Sequence, residues 1–125
     1  MRRLLKLWRD GAGSSAAEFA LVLPILVALT VGTVNLCMLF YANTVLHYTV
    51  EDAARCMSVK TAVCTSPTVT QSYALSHYKG PVITPVFTAT AAACGSSVSA
   101  TATFPLITGL VNLSVPMSAS ACFPT

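Results

Sequence analysis

The stretch that decides the fold is Gly13-Ser-Ser-Ala-Ala-Glu-Phe-Ala-Leu-Val-Leu-Pro-Ile-Leu-Val-Ala-Leu-Thr-Val-Gly-Thr-Val-Asn-Leu-Cys-Met-Leu-Phe-Tyr41. From Phe19 to Tyr41 no side chain carries a charge. At about 1.5 Å per residue a helix of that length reaches roughly 34 Å, enough for a hydrocarbon core of about 30 Å. One charge at its centre would cost about 2.5 to 3.5 kcal/mol, so the uninterrupted run predicts a membrane-crossing helix.

Working outward, the residues ahead of this run are basic: Arg2, Arg3, Lys6 and Arg9. Residues 1–13 read as a targeting segment and not as part of a folded domain. An ordinary secretory signal would be cut after the apolar run, but no small-x-small site follows closely. Leu36 to Phe40 are large except for Cys37, and Ala42 is an isolated small residue. Four basic residues before the apolar run, against Arg55, Lys60 and Lys79 after it, place the N-terminus in the cytoplasm and the rest of the chain outside it. From Ser14 onward those three cations balance Glu18, Glu51 and Asp52. The net charge of +3 therefore belongs to the leader, and no nucleic-acid partner is expected. With 125 residues, 9% charged and 54% hydrophobic, the chain is too apolar for disorder and charge-poor for a free soluble domain. One small domain behind one membrane segment is the expectation.

The exported part explains the cysteines. Cys56, Cys64, Cys94 and Cys122 lie there, and four cysteines in a small exported domain read as two disulfides. Three pairings are open. The favoured one joins Cys56 to Cys64 across a short loop, and Cys94 to Cys122 between strand ends. Cys37 is left over and reads as a small buried hydrophobe.

Periodicity supplies the rest. Leu46, Val50, Ala53 and Met57 recur at spacings of four, three and four, so the helix continues from Ala42 to about Val59 with one apolar stripe. Glu51 and Arg55 can pair at i, i+4 on its wet side. Thr61 to Thr70 is Thr/Ser/Pro-rich and reads as a loop; Val69 to Tyr78 reads as a short second helix ended by Lys79-Gly80-Pro81. Thr84 to Ala92 predicts a strand, with Gly95 and Ser96 as the turn. Val98, Ala100, Ala102 and Phe104 then alternate with Ser and Thr until Pro105 stops the strand. Leu113 to Ala121 alternates again, with Pro116 marking an edge or a bulge. Gly109 sits in the connection. The fold class is α+β: a long N-terminal transmembrane helix continuing into a small three-stranded antiparallel sheet with disulfides. The domains are 1–13 as leader, 14–59 as helix with its exported extension, and 60–125 as the exported β-rich part.

The order of a basic leader, Gly13-Ser14, Glu18 and an apolar helix resembles prepilin-type signals. The segment Ala17-Glu18-Phe19-Ala20-Leu21-Val22-Leu23-Pro24 is similar to the opening of the TadE-like pseudopilins of the tight-adherence (Flp-type) pilus assembly system. Gly32, Tyr41, Asn43 and Ala53-Ala54-Arg55 fall where that family has later shared positions. The resemblance covers about residues 11–57. One departure is Asn35-Leu36, where the family often has an acidic residue followed by an aromatic, so a second membrane-embedded charge contact is not implied. The resemblance implies cleavage by a prepilin peptidase between Gly13 and Ser14, which makes Glu18 the fifth residue of the product. It also implies assembly through Glu18, Phe19 and Pro24 with other pilin-like subunits and the assembly machinery, in a bacterial inner membrane or in the pilus built from it. Read without the family, Ser15 and Glu18 form a capping box at the helix start. Pro24 predicts a kink, because it removes a donor and clashes with the Ala20 carbonyl. Ala28 and Gly32 form a small-xxx-small pair that permits close helix approach.

Motifs for other chemistry are missing. His47 and His77 stand in no metal-ligand spacing, and no paired Cys-x-x-Cys, Gly-x-Ser-x-Gly or phosphate-cradling glycine loop occurs. No enzyme, metal, cofactor or small-molecule substrate is expected. Asn112-Leu113-Ser114 is a glycosylation sequon by pattern alone. The rival reading is an uncleaved single-pass inner-membrane adaptor or adhesin.

Overall fold

The computed structural model describes the backbone of residues 12–107 and 112–125, and the side chains of 15–106 and 112–125. The basic leader and Gly109 lie outside the described residues. The elements are α1 (Ala12–Val59), α2 (Pro67–His77), β1 (Val86–Ala92), β2 (Gly95–Ile107) and β3 (Asn112–Phe123). The chain divides into two units, residues 1–34 and 35–125.

In the first unit α1 runs through Pro24 without interruption. Every side chain from Ser15 to Val34 is exposed. The hydroxyls in this apolar run are satisfied within the helix: Thr30 Oγ1 donates to the Val27 carbonyl at 2.9 Å, and Thr33 Oγ1 to the Leu29 carbonyl at 2.7 Å. In a hydrocarbon environment each would otherwise be an uncompensated polar group. The segment from Ser15 onward is long and apolar enough to cross a membrane.

In the second unit the remainder of α1 presents the expected stripe. Ala42, Leu46, Val50, Ala53 and Ala54 are fully buried, and Met57 packs against them half-buried. They meet the inward face of a three-stranded antiparallel sheet of order β1-β2-β3. That face carries Phe87 and Ala89 of β1, Val98, Ala100, Ala102 and Phe104 of β2, and Met117 and Ala119 of β3. The alanines among them let a helix lie close to the sheet, while the larger side chains fill the space that is left. The outward face is rich in hydroxyls, with Val86, Pro105, Pro116 and Cys122 among them. Thr88, Ser99 and Ser120 form one cross-strand row, and Thr101 and Ser118 belong to the next.

Three expectations about strand and helix ends are corrected. Pro105 does not stop its strand; β2 continues to Ile107. The pairing of β1 with β2 ends at Val86 opposite Thr101, so past that point β2 has a partner on one side only. A residue without an N–H costs little on an open edge. The hairpin turn is Ala93-Cys94, and Gly95 opens β2. Gly95 has φ of 122°, the only positive φ among the described residues. A Cβ there would also strike the Phe123 carbonyl, so glycine is required on both counts. The span from Thr61 to Thr70 is not all loop: α2 begins at Pro67. Ser66 is its N-cap, its side chain accepting from the Val69 N–H at 3.4 Å, and Pro67 occupies the first turn, where its missing donor costs nothing.

Both favoured disulfides are present. Cys56 is bonded to Cys64 with Cα atoms 5.8 Å apart, and Cys94 to Cys122 with Cα atoms 6.2 Å apart. The first is buried and ties the end of α1 to the following loop; the second is exposed and ties the hairpin turn to the end of β3. Cys37 is corrected: it is a free thiol and it is exposed.

Candidate assembly site on the apolar helix

The residues at the Gly13–Ser14 junction have backbone within the first turn of α1. Ser15 lies inside the helix, so it is not an N-cap, and the capping-box reading of Ser15 and Glu18 fails. Nothing in Ala12-Gly13-Ser14-Ser15-Ala16-Ala17 is β-branched or proline, and three alanines favour extension of the helix toward the N-terminus. Glu18 is exposed one turn further on. Phe19 follows at 66% exposure, and Leu21, Ile25 and Leu29 continue the apolar surface at 74%, 63% and 65%. Pro24 sits within this surface. Large apolar side chains on all sides of a helix cannot be hidden by one neighbouring face; such a helix belongs among lipid tails or other helices. A Cβ built on Gly32 meets nothing within 4 Å, so that position leaves open space for a close neighbour.

The later positions of the resemblance serve the second unit. Ala53 and Ala54 are core residues. Tyr41 Oη donates to the Lys79 carbonyl at 3.2 Å, fastening α1 to the segment after α2. Asn43 lines a shallow hollow of about 300 Å³ with Leu39, Phe40 and the Val115–Ser118 part of β3. Arg55 lines a groove of about 490 Å³ with Tyr48, Glu51, Asp52 and the Ser120–Phe123 end of β3.

Periodicity did not reveal the polar ties that fix α2. Tyr73 Oη donates to Asp52 Oδ2 at 3.0 Å, and the Tyr73 ring stacks on His77 with centroids 3.9 Å apart. Burial raises the Tyr73 phenol above its ordinary value of 10.0, and the hydrogen bond to the Asp52 carboxylate raises it further. Burial also raises Tyr78, followed by the nearby Tyr41; the Tyr78 hydroxyl is buried against Gly80 with no hydrogen-bond partner. The Tyr73 phenol thus ties α2 to α1. Among the described residues no cluster of three or more His, Cys, Asp and Glu could hold a metal ion.

Neither a curated protein nor a solved structure matches the chain. Residues 13–55 match the family model described as TadE-like protein, a segment that starts at the Gly13–Ser14 junction, takes in the whole apolar run and ends at Arg55. Over that segment the chain carries the sequence pattern of the TadE-like family.

Proposed function

We propose that this chain is a minor pilin-like subunit, a pseudopilin, for assembly of a tight-adherence pilus or a related secretion apparatus. A prepilin peptidase cuts it after Gly13. The product stays in the bacterial inner membrane as a single-pass protein, with its N-terminal end cytoplasmic and residues 60–125 outside. It works by non-covalent assembly and not by catalysis. Its partners are the peptidase, other pilin-like subunits and the assembly machinery, and the lipid bilayer. Residues 1–13 act as the leader and residues 14–59 as the assembly helix.

The observation that carries this reading is the uncharged, all-round exposed surface from Phe19 onward, directly behind Glu18. In apolar surroundings a single carboxylate at the head of such a helix needs a cationic partner. The amine freed at Ser14 supplies one, its own or a neighbour's. Phe19 and Pro24 lie on the surface that then packs between helices.

The intact mass of the protein recovered from its native membrane tests this reading; it is expected to correspond to a chain beginning at Ser14. A mass that includes Met1 overturns processing. The rival, an uncleaved membrane adaptor or adhesin, is favoured by one observation: the Gly13–Ser14 bond lies within α1 and not in an extended strand. Glu18→Ala separates charge pairing from anchoring. Membrane insertion is expected to survive, because it depends on Phe19 to Tyr41, while co-assembly with other subunits is lost. Unchanged co-assembly would remove Glu18 from the mechanism.

A further inference from the structure

Within residues 35–125, β3 is pinned to α1 at three levels. Ser58 Oγ donates to the Phe123 carbonyl at 3.2 Å. Tyr48 and Arg55 border one groove with the Ser120–Phe123 end of β3, and Leu39, Phe40 and Asn43 share a hollow with Val115–Ser118. From Phe123 back to Val115 is about 26 Å of strand, and from Ser58 back to Phe40 is about 27 Å of helix. The strand therefore follows α1 step for step toward the apolar run, and its first residues go further. Leu113, exposed, lies about 7 Å beyond Val115. The register sets Leu106 of β2 directly opposite it.

A second segment reaches the same end of the sheet. Tyr41 Oη holds the Lys79 carbonyl, and Thr84 borders Thr103 and Pro116. Between Lys79 and Thr84, Val82 is fully exposed. Charge follows the same axis. Residues 80–125 contain no charged side chain. Glu51, Asp52, Arg55 and Lys60 all lie ten or more residues past Tyr41, on the order of 15 Å or more toward the far end. Lys79, exposed, is the one charge beyond residue 35 that is tied to the level of Tyr41.

Resting on the reading of this chain as a single-pass membrane protein, we propose that this end of the sheet lies on the lipid bilayer, with Leu113 and Val82 in the headgroup layer and the Lys79 ammonium against lipid phosphates. The contact is continuous with the membrane-crossing surface, because Leu36, Met38 and Phe40 are exposed where the apolar run enters this unit. Tyr41 ends that run, as an aromatic does at a membrane–water interface. The 7 Å by which Leu113 passes Val115 matches the depth of about 5 to 10 Å that interfacial apolar side chains reach. The backbone limits the depth. Past Thr101, β2 is paired on one side only, and β3 is an edge strand, so their open N–H and C=O groups need water or headgroups and stay out of the hydrocarbon. The sheet is thus held against the bilayer by two contacts besides α1.

The test uses the full chain in vesicles of phosphatidylethanolamine and phosphatidylglycerol that carry a nitroxide-headgroup lipid. In a Trp8→Phe background, Leu113→Trp, Val82→Trp and, at the far end of β1, Thr90→Trp each place one fluorophore. Quenching at 113 and 82 is expected to be at least threefold stronger than at 90, with blue-shifted emission. Lys79→Glu is expected to halve the quenching at 82. A second measurement needs no substitution: a phospholipid with a photoactivatable group near its headgroup is expected to label the peptides that hold Val82 and Leu113 as well as α1. Labelling confined to α1, or equal quenching at all three positions, overturns the contact and leaves the proposed function standing. A blue shift at 113 without lipid quenching means that protein covers this end, and overturns it too. A chain that does not sediment with the vesicles overturns the membrane anchoring itself. Because neither readout depends on cleavage, a mass that includes Met1 overturns processing and leaves this contact in place.

Discussion

The two halves of α1 are both apolar, yet they solve opposite problems. From Ser15 to Val34 every side chain is exposed. From Ala42 to Ala54 five residues on one stripe are fully buried, while Glu51 and Arg55 remain exposed. Hydrophobic content alone does not separate them; arrangement around the helix does. An apolar stripe of limited width is covered by one sheet, whereas an apolar surface on all sides needs a surrounding solvent of lipid or of other helices. The first half therefore requires a surrounding of lipid or of other helices, and the second half is covered by the chain's own sheet.

The contrast is broken most directly by matched truncations. Leu46 has no exposed surface and Leu26 is 54% exposed. Leu46→Ala is expected to cost about 2 to 5 kcal/mol of the second unit's stability, by lost burial and the cavity left behind. Leu26→Ala is expected to stay within about 0.5 kcal/mol. Denaturant unfolding of the full chain in detergent, followed by near-ultraviolet circular dichroism, measures both. Equal losses would mean that the two halves do not differ in the way their burial indicates.

The disulfides sharpen the same contrast, since one of them ends the packed half of α1. By the chain-entropy account, removing the Cys94–Cys122 bridge with paired Ala substitutions costs about 3 to 4 kcal/mol, because its sequence separation is 28. Removing Cys56–Cys64, with a separation of 8, costs about 2 to 3 kcal/mol by the same account. The order reverses if burial of Cys56 and Cys64, at 1% and 3% exposure, outweighs loop length. Unfolding midpoints of the two double variants decide between these outcomes.

Much of the domain was legible in the sequence because it is written in short periods. The stripe at Leu46, Val50 and Ala53 and the alternation from Val98 to Phe104 each encode a face, and both faces are buried. The cysteines could be paired because strand order brings Cys94 and Cys122 to the same end. What was misread depended on neighbours that a period does not encode. Pro105 reads as a stop unless it is known that β1 ends opposite Thr101. Gly95 reads as the turn itself, although the step that needs it is the one after the turn. Ser66-Pro67 did carry a start signal for α2, an N-cap followed by proline, hidden by the Thr/Ser-rich composition around it. In the apolar half of α1, Glu18 and the apolar run were legible, whereas a helix start ahead of Ser15 was not, because Ser15 and Glu18 fit a capping box on sequence alone.

The smallest effect concerns the polar tie between α2 and the packed half of α1, Tyr73 Oη to Asp52 Oδ2 at 3.0 Å. The Tyr73 phenol is raised in the folded chain, first by burial and then by Asp52, above the 10.0 it has when unfolded. A raised phenol contributes stability that is fully present below about pH 10 and is lost as pH rises through the folded value. Thermal midpoints are therefore expected to hold level from about pH 8 to about pH 10 and to fall beyond. Tyr73 is only half-buried, so Tyr73→Phe should cost no more than about 1 kcal/mol at neutral pH. It should also make the alkaline fall shallower, because one raised phenol is gone. Tyr78→Phe is the comparison. Its hydroxyl is buried without a partner, so the substitution removes a desolvation penalty and should leave neutral stability equal or higher. Phenolate absorbance in the near ultraviolet follows both groups directly. If Tyr73→Phe and the unsubstituted chain fall in parallel above about pH 10, the contact with Asp52 contributes nothing to holding α2 in place.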